Sequence, residues 1–346
     1  MTVFNLSKII RIVGKLKNPR RIACYAGVQA AFFLKSLRVP VTPPRIDLEP
    51  NNTCNLRCRH CQVTHWSKPA AHLDLPGFTR ILSQFPGLLS VKLQGMGEPL
   101  LNRELADMLQ EGEKRGISMQ VISNGTILNP AVAGRLLTLN KTHLCFSLDG
   151  ATAATFEAIR IGASFEKVVG NIREIVRMRG SRNLPQISVT TVVTSTNLHE
   201  IPALVRLCKE LGVDSLSLQT ALTNWGKQDL DNYNETIRIS PLSAQVDALF
   251  QESRRIAREN HFELKIWNED YYTKRHKCPW PWKRAFIAAN GDVVPCCILA
   301  DADIIKMGNV FEQDFAVIWN SPQYRDFRER IRNHRLHEFC KNCYRD

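Results

Sequence analysis

Three cysteines near the start of the chain have a spacing that suits metal ligation. Cys54, Cys58 and Cys61 form the pattern C-x3-C-x2-C directly after a strand-like run over 45–49. Thiolates are soft ligands that bind zinc and iron–sulfur clusters. Three thiolates leave one iron of a four-iron cluster without a protein ligand, and an open coordination position is where a metal site does chemistry. The pattern therefore indicates a catalytic metal centre.

The same cysteines allow two other interpretations. They could form half of a zinc site that His60 or His65 completes. They could also be disulfide partners, but this is not expected, because no signal peptide is recognisable. A chain of 346 residues also has enough core to fold without covalent staples.

The stretch over 49–61 resembles the cluster-binding loop of radical S-adenosylmethionine (SAM) enzymes. The resemblance implies a 4Fe–4S cluster on Cys54, Cys58 and Cys61, with SAM chelating the remaining iron through its amino and carboxylate groups. One electron from the cluster would cleave SAM to a 5′-deoxyadenosyl radical, which would take hydrogen from a substrate. A flavodoxin- or ferredoxin-type protein would supply the electron.

Short β-branched runs alternate with amphipathic stretches between residues 45 and 220, a pattern typical of parallel βα units. The expected strands are 45–49, 90–94, 118–123, 143–148, 186–193 and 215–219, with helices including 102–115, 164–179 and 199–211. Six such units predict an α/β fold, a partial (β/α)6 TIM-like barrel rather than a closed one. Functional loops are then expected at the carboxyl ends of the strands.

A glycine-rich turn follows the second expected strand. Gly95 and Gly97 would let the backbone approach a ligand closely, and the Glu98 carboxylate could receive an ammonium group. By itself the sequence Gly-Glu-Pro is also a good turn. In the radical SAM family a Gly-Gly-Glu stretch in this place binds the SAM amino group, so Gly97 and Glu98 are the expected contacts, although Met96 separates the two glycines.

The ends of the next three strands carry further polar residues. Ser123 and Asn124 form a polar turn that either contacts SAM or only leads into a helix. By resemblance to the same family, Ser147 and Arg160 are expected to contact SAM. Asp149 would bind the ribose or the substrate, or else cap the next helix. Thr191 is expected near the adenine.

A second cysteine group lies at the end of the chain and comprises Cys278, Cys296, Cys297, Cys340 and Cys343. Asn290-Gly291 between two β-branched runs predicts a hairpin that brings Cys296 back beside Cys278. The order resembles the SPASM or "twitch" extension of radical SAM enzymes. This implies an auxiliary 4Fe–4S cluster on Cys278, Cys296, Cys340 and Cys343, with Cys297 as the spare of the adjacent pair. Which of that pair binds stays open, as does a structural zinc site.

The charge of the chain is concentrated at its start. Residues 1–38 contain eight Lys or Arg and no Asp or Glu, within a net charge of +13. The apolar residues of 3–16 recur at helical spacing, which predicts a basic amphipathic helix. Such a helix either packs on the main domain or contacts an anionic membrane surface. No apolar run is long enough to span a membrane, and no nucleic-acid-binding motif is recognisable, so no nucleic acid is expected as a partner.

These observations predict four segments: 1–44 as a basic extension and linker, 45–220 as the barrel, 221–277 as a connector lining the substrate cavity, and 278–346 as the iron–sulfur domain. The expected function is a cytoplasmic radical SAM enzyme with SAM and two 4Fe–4S clusters. We expect a small-molecule, sugar or lipid-linked substrate. The alternatives are a peptide-modifying maturase and, from another class, a non-catalytic zinc-binding scaffold.

Overall fold

The computed structural model describes residues 18–65, 67–223, 226–240, 243–267 and 278–341. The first described helix, α1, spans Pro19–Phe33 and begins where the Asn18 side chain accepts a hydrogen bond from the Arg20 amide (2.9 Å). The amphipathic segment expected over 3–16 and the expected ligand Cys343 lie outside the described residues. Among the described residues, no helix combines the length and apolarity needed to span a bilayer.

One mixed sheet of ten strands organises the described part of the chain. The strands are β1 Arg45–Leu48, β2 Ser90–Leu93, β3 Ser118–Ser123, β4 Thr142–Ser147, β5 Gln186–Val192, β6 Ser215–Gln219, β7 Glu263–Trp267, β8 Arg284–Ile287, β9 Asp292–Val294 and β10 Gly308–Asn309. Their spatial order is β10-β9-β8-β1-β2-β3-β4-β5-β6-β7; β1 to β8 run parallel to one another, and β9 is antiparallel to both β8 and β10.

Helices follow most of the parallel strands, as the right-handed crossover between such strands requires. They are α2 Leu75–Ser83, α3 Leu105–Lys114, α4 Pro130–Leu136, α5 Ala153–Ile159, α6 Phe165–Arg179, α7 Ile201–Glu210, α8 Gln228–Ile237, α9 Ala244–Glu259, α10 Trp280–Lys283, α11 Phe315–Trp319, α12 Pro322–Arg332 and α13 Glu338–Lys341. Several of them begin at side-chain caps, such as Asp74 accepting from the Gly77 amide at α2 (2.8 Å).

The two faces of the sheet differ in polarity. Ile46 and Leu48 on β1 are buried in the main core with their neighbours on β2, where the helices cover them. Asp47, between them, points to the opposite face and accepts a hydrogen bond from Gln94 Nε2 (2.8 Å). Because successive side chains of a strand point to opposite faces, the lumen of the partial barrel is lined by polar side chains.

The expected fold class is confirmed, and the six expected strands are confirmed to within a residue or so at each end. The structure adds a seventh parallel strand, β7, in the segment 221–277 that the sequence predicts as a connector. Glu263 and Lys265 give this edge strand a charged face, so it lacks the β-branched run that identified the others.

The C-terminal hairpin continues the same sheet. β8 pairs in parallel with β1, and β9 returns antiparallel to β8 through a turn in which Gly291 has φ 86°. The predicted Asn290-Gly291 turn is therefore confirmed. This arrangement places the turn between β8 and β9 beside the residues that follow β1, where the Glu49 amide donates to the carbonyl of Ile287 (2.9 Å).

Candidate functional site

The loop after β1 gathers three reduced thiols. Cys58 is buried, while Cys54 and Cys61 are half-buried. Burial raises the pKa of all three thiols, to about 12 for Cys61, and Cys54 also raises the pKa of Cys58 and of Cys61 electrostatically. A metal group bound at this loop would have to displace the protons of these thiols.

Main-chain contacts hold the thiol loop against the end of α5. The amides of Arg57 and Arg59 donate to the carbonyls of Ile161 (3.0 Å) and Ile159 (3.1 Å). The Thr64 hydroxyl donates to the carbonyl of Cys58 (2.8 Å). The loop is therefore fixed by its backbone, which leaves the thiol groups available for ligation.

The glycines of the turn after β2 are required by the loop that crosses it. A Cβ at Gly97 would overlap the side chain and carbonyl of Asn51 and would lie 2.6 Å from the carbonyl oxygen of Thr53. A Cβ at Gly95 would overlap the side chain of Glu49. Both glycines therefore permit the close approach of the β2 turn to the residues that precede the cysteines. The Gly97 position predicted from the sequence thus lies against the thiol loop.

Glu98 is the centre of a buried polar network. Its carboxylate accepts hydrogen bonds from the hydroxyl of Ser123 (2.7 Å) and the amides of Asn124 (2.7 Å) and Leu100 (3.0 Å). Burial raises the pKa of this carboxyl, while these donors act to lower it. The structure therefore brings the predicted Glu98, Ser123 and Asn124 together. The Glu98 carboxylate accepts hydrogen bonds from three donors of the chain itself.

Asn124 connects this network to the thiols. Its side-chain amide donates to Asn55 Oδ1 (3.0 Å) and makes a weak contact with Cys54 Sγ (3.9 Å). Asn55 in turn donates to the hydroxyl of Thr126 (2.8 Å). The ends of β2 and β3 thus reach the first cysteine through a continuous set of amide side chains.

A buried ion pair lies on the opposite side of the thiol loop. Asp149 Oδ2 is 2.8 Å from Arg160 Nη2, and Asp149 Oδ1 accepts from the amide of Val192 (2.9 Å). His60 Nε2 lies 3.9 Å from the same Oδ2 atom, and burial lowers the pKa of His60, which favours the neutral imidazole. Among the described residues, Arg160 Nε is buried without a hydrogen-bond partner. The predicted Asp149 and Arg160 are therefore close to the thiols.

The remaining two predicted residues, Ser147 and Thr191, lie at or near the ends of β4 and β5. Ser147 is buried at the end of β4. Thr191 is fully buried on β5, and its hydroxyl donates to the carbonyl of Leu148 (2.6 Å), so it holds neighbouring strands together. The alternative that Asp149 caps the next helix does not apply, because Thr152 is the N-cap of α5.

Sequence reasoning missed two residues at this site, Asn51 and Glu49, and gave His60 only as a possible zinc ligand. His60 lies inside the cysteine motif, and fully buried Asn51 donates to the carbonyl of Glu98 (2.9 Å). Glu49 accepts from the amides of Met96 (2.6 Å) and Ala289 (3.2 Å), and burial raises its pKa to about 7. Polar residues at the end of a buried strand, immediately before the cysteines, were the available signal.

Four members of the second cysteine group lie in the described part of the C-terminal region. Cys278 precedes α10, Cys296 and Cys297 follow β9, and Cys340 lies in α13; all four are half-buried. Cys297 packs on a small apolar cluster that Cys54 and Cys61 also contact. An apolar patch is thus shared by the two cysteine groups.

Two family models match this chain in the order of its two cysteine groups. One, described as the Radical SAM superfamily, matches residues 48–208. The other, SPASM, described as an iron-sulfur cluster-binding domain, matches residues 278–344. The chain belongs to the radical SAM superfamily and carries a SPASM domain. It is therefore an enzyme whose cofactors are SAM and iron–sulfur clusters.

Relatives with several different names are similar to this chain over most of its length. The tungsten-containing aldehyde ferredoxin oxidoreductase cofactor-modifying protein of Pyrococcus furiosus is 29% identical over 318 residues, 86% of each chain. A PqqA peptide cyclase of Methylorubrum extorquens is 25% identical over 89% of this chain and 79% of its own. The crystal structure of Streptococcus suis SuiB bound to precursor peptide SuiA matches with a TM-score of 0.71 at 17% identity, covering 93% of this chain and 77% of SuiB.

The residues at the first site fit the cofactors of a radical SAM enzyme. Three gathered thiols supply the soft ligands that an iron–sulfur cluster needs. The glycines at 95 and 97 let the adjoining turn pack closely against the residues that precede the cysteines. Arg160 Nε is a buried donor without a partner among the described residues, which suits an anionic group of a bound ligand.

Proposed function

We propose that this chain is a radical SAM enzyme that modifies a peptide. The sequence analysis expects a small-molecule, sugar or lipid-linked substrate first and a peptide second, and the comparisons favour the second class. The observation that carries the proposal is the similarity to PqqA peptide cyclases over 89% of the chain. The fold shared with SuiB, which was crystallised with its precursor peptide, supports it.

The open edge of the sheet offers room for an extended chain. β7 pairs with β6 on one side, and no other described strand pairs with its outer edge. The last residue of β7, Trp267, exposes 54% of its surface. A peptide can bind such an edge through main-chain hydrogen bonds and place one side chain toward the barrel lumen. A sugar-sized ligand has no peptide backbone and therefore cannot extend the sheet at this edge.

In this proposal, some residues at the carboxyl end of the barrel bind the cluster or SAM, and others position those binding residues. Cys54, Cys58 and Cys61 bind the catalytic cluster, and with SAM bound this group supplies a 5′-deoxyadenosyl radical for hydrogen abstraction. Glu98 fixes the turn through Ser123 and Asn124, so that Gly97 and the main chain of this turn contact the SAM amino group.

On the other side of the cluster, Asp149 orients Arg160 toward the SAM carboxylate. Ser147 and Thr191 line the same side at the ends of β4 and β5. In the SPASM domain, Cys278, Cys296, Cys340 and Cys343 hold an auxiliary 4Fe–4S cluster. A flavodoxin- or ferredoxin-type protein supplies the electron for SAM cleavage.

The substrate class can be tested without knowing the substrate. Extract from cells grown on deuterated medium is separated into peptide and small-molecule fractions, and each is added to anaerobic, reconstituted enzyme with unlabelled SAM and dithionite. Mass spectrometry then measures deuterium in 5′-deoxyadenosine. We expect transfer from the peptide fraction and its loss after protease treatment. Transfer from the small-molecule fraction alone, resistant to protease, would contradict the proposal.

We also propose that the N-terminal region contacts an anionic membrane surface. Phe33 and Leu34 at the end of α1 expose 63% and 69% of their surface, next to the basic stretch 1–38. In sedimentation with vesicles containing anionic lipid, the double variant Phe33→Ser/Leu34→Ser should bind several-fold less than the wild type. Val317→Ser, which changes an apolar residue 60% exposed on α11, serves as the control. Equal binding by all three proteins would remove this part of the proposal.

A further inference from the structure

Helix α12 carries an arginine in the middle of its buried face. Tyr324, Phe327, Arg328 and Ile331 are its buried residues. The guanidinium of Arg328 lies over the rings of Trp319 (4.4 Å to the centroid) and Tyr324 (5.1 Å), so the charge is enclosed by aromatic rings.

The charge of Arg328 has no counter-ion among the residues that the structure describes. Its Nε donates to the carbonyl of Pro281 (2.7 Å) and its Nη1 to the carbonyl of Leu37 (2.9 Å), which are both neutral groups. Its Nη2 is buried without a hydrogen-bond partner in the described ranges. Burial lowers the pKa of Arg328 to about 10. A buried charge without a partner is strongly destabilising, so this site calls for an anion.

Two further buried donors beside Arg328 lack partners within the described part of the chain. They are the Tyr324 hydroxyl and the Trp319 indole N–H, on side chains that are fully buried. A buried hydroxyl without a hydrogen bond destabilises the folded chain. We call the Tyr324 hydroxyl, the Arg328 guanidinium and the Trp319 indole N–H the α12 donor set.

The α12 donor set lies near the chain segments that carry the expected ligands of the auxiliary cluster. Burial raises the pKa of the Tyr324 phenol, Arg328 lowers it, and the nearby Cys296 thiol raises it further. Pro281, which accepts from Arg328, follows Cys278 by three residues. On the same helix, Phe327 stacks on His337 (5.3 Å between ring centroids), whose carbonyl accepts from the Cys340 amide (2.9 Å).

We propose that Tyr324 and Arg328 are the hydrogen-bond donor and the counter-charge of the auxiliary cluster. A four-iron cluster with four thiolates is a net anion, and it gains one negative charge on reduction. The potential of such a cluster depends on nearby charge, hydrogen bonds to its sulfurs and exclusion of solvent. The α12 donor set therefore stabilises the reduced cluster more than the oxidised one and raises its reduction potential. This inference rests on the auxiliary cluster and not on the peptide substrate.

The test is a redox titration followed by EPR on full-length, anaerobically reconstituted protein. All measurements use the Cys58→Ala variant, which is expected to lose the catalytic cluster, so that the EPR signal comes from the auxiliary cluster. Tyr324→Phe should shift the one-electron reduction equilibrium about tenfold toward the oxidised cluster, which is about 59 mV toward more negative potential. Without iron, the same variant should melt at an equal or higher temperature, because it removes an unpaired buried hydroxyl.

Tyr25→Phe is the matched control, because Tyr25 is also a buried tyrosine, on α1. It should leave the potential unchanged. Arg328→Met should shift the potential in the same direction as Tyr324→Phe, and Tyr324→Phe remains decisive if the methionine variant does not fold. An unchanged potential in Tyr324→Phe at full iron content would overturn the inference. A lower melting temperature of its iron-free form would do the same, since it would reveal a protein partner for the hydroxyl.

Discussion

The two cysteine sites differ in how their buried charges are balanced before any cofactor binds. At the proposed SAM site, the Glu98 carboxylate accepts three hydrogen bonds from the chain, and Asp149 and Arg160 neutralise each other, although Arg160 Nε has no partner among the described residues. At the SPASM site, Tyr324 and Arg328 keep donors without partners in the described residues, and Arg328 has no counter-ion there. The charges of the first site are therefore balanced within the chain, whereas the charge at the auxiliary site is balanced only when its cluster is bound.

This difference has a functional reason. A site that must admit and release SAM in each turnover has to keep its shape when empty, and a satisfied network does that. A cluster that stays bound can be part of the folding free energy, as structural metal sites are. The first site is thus preorganised by the protein, and the second site is stabilised by its cofactor.

The largest effects are expected when one cysteine ligand is removed from each site in turn and the two variants are compared. Cys58→Ala should abolish SAM cleavage and lower the iron content from about eight to about four per chain, with little change in melting temperature. Cys296→Ala should lose the other cluster and cost about 3–5 kcal/mol, because Arg328 then stays buried without a counter-charge. Iron analysis and anaerobic thermal unfolding measure both effects.

Cys297→Ala is the matched control for that comparison, since Cys297 is adjacent to Cys296 and packs on the apolar cluster instead. It should keep both clusters. If Cys297→Ala loses the auxiliary iron and Cys296→Ala retains it, the roles of the two residues are exchanged. If Cys58→Ala and Cys296→Ala destabilise the protein equally, the contrast between the two sites is wrong.

A smaller effect tests the preorganised turn of the SAM site. In Gly97→Ala the added methyl group would meet the carbonyls of Asn51 and Thr53. Backbone cannot move as easily as a side chain, so we expect a loss of about 2–3 kcal/mol and of SAM cleavage. Gly134→Ala is the control, because its methyl group would meet no atom within 4 Å in α4. That variant should gain about 0.5–1 kcal/mol. Chemical denaturation measures both, and a neutral Gly97→Ala would refute the steric argument.

Glu49 links the two regions, because its carboxylate accepts from Met96 beside the SAM site and from Ala289 in the SPASM hairpin. Burial raises its pKa to about 7 in the folded state, above that of an unfolded glutamate. The folded protein then binds the proton more tightly than the unfolded chain, and stability falls as pH rises toward 7. We expect a loss of about 1–2 kcal/mol between pH 5.5 and 7 from this residue.

Glu49→Gln should remove that part of the pH dependence, since the amide resembles the protonated acid. The difference between wild type and variant in urea unfolding, measured at each pH, isolates the contribution of Glu49 from that of other titrating groups. Parallel pH profiles for the two proteins would show that Glu49 is ionised throughout.

The sequence predicted the barrel because its strands are β-branched and its caps are local. It predicted Glu98 from the glycines beside it, but the donors that occupy its carboxylate come from Ser123 and Asn124, on the next strand end. Pairing across that distance depends on strand order, which composition does not reveal. β7 was missed because it is an edge strand with charged residues on one face, and such a strand lacks the β-branched run that identifies a buried strand.

Arg328 shows a further limit of sequence reasoning. It lies four residues after Tyr324 and therefore on the same face of α12, among other arginines at positions 325, 330 and 332. Helical spacing could have identified it as the arginine on the apolar face. It could not have shown that the charge lacks a partner, since that requires the positions of every neighbouring carboxylate.

The smallest expected effect uses a second arginine on the same helix. Arg330 is half-buried on α12, with 43% of its side chain exposed, and pairs with Asp326 one turn earlier (2.7 Å), a surface ion pair worth about 0.3–0.5 kcal/mol. Arg330→Ala should therefore change stability by no more than about 0.5 kcal/mol and leave the potential of the auxiliary cluster unchanged, because solvent screens a charge at the surface. Thermal unfolding and the same EPR titration measure both quantities. If Arg330→Ala shifted the potential as far as Arg328→Met, net charge alone would explain the effect, and the buried position of Arg328 would have no special role.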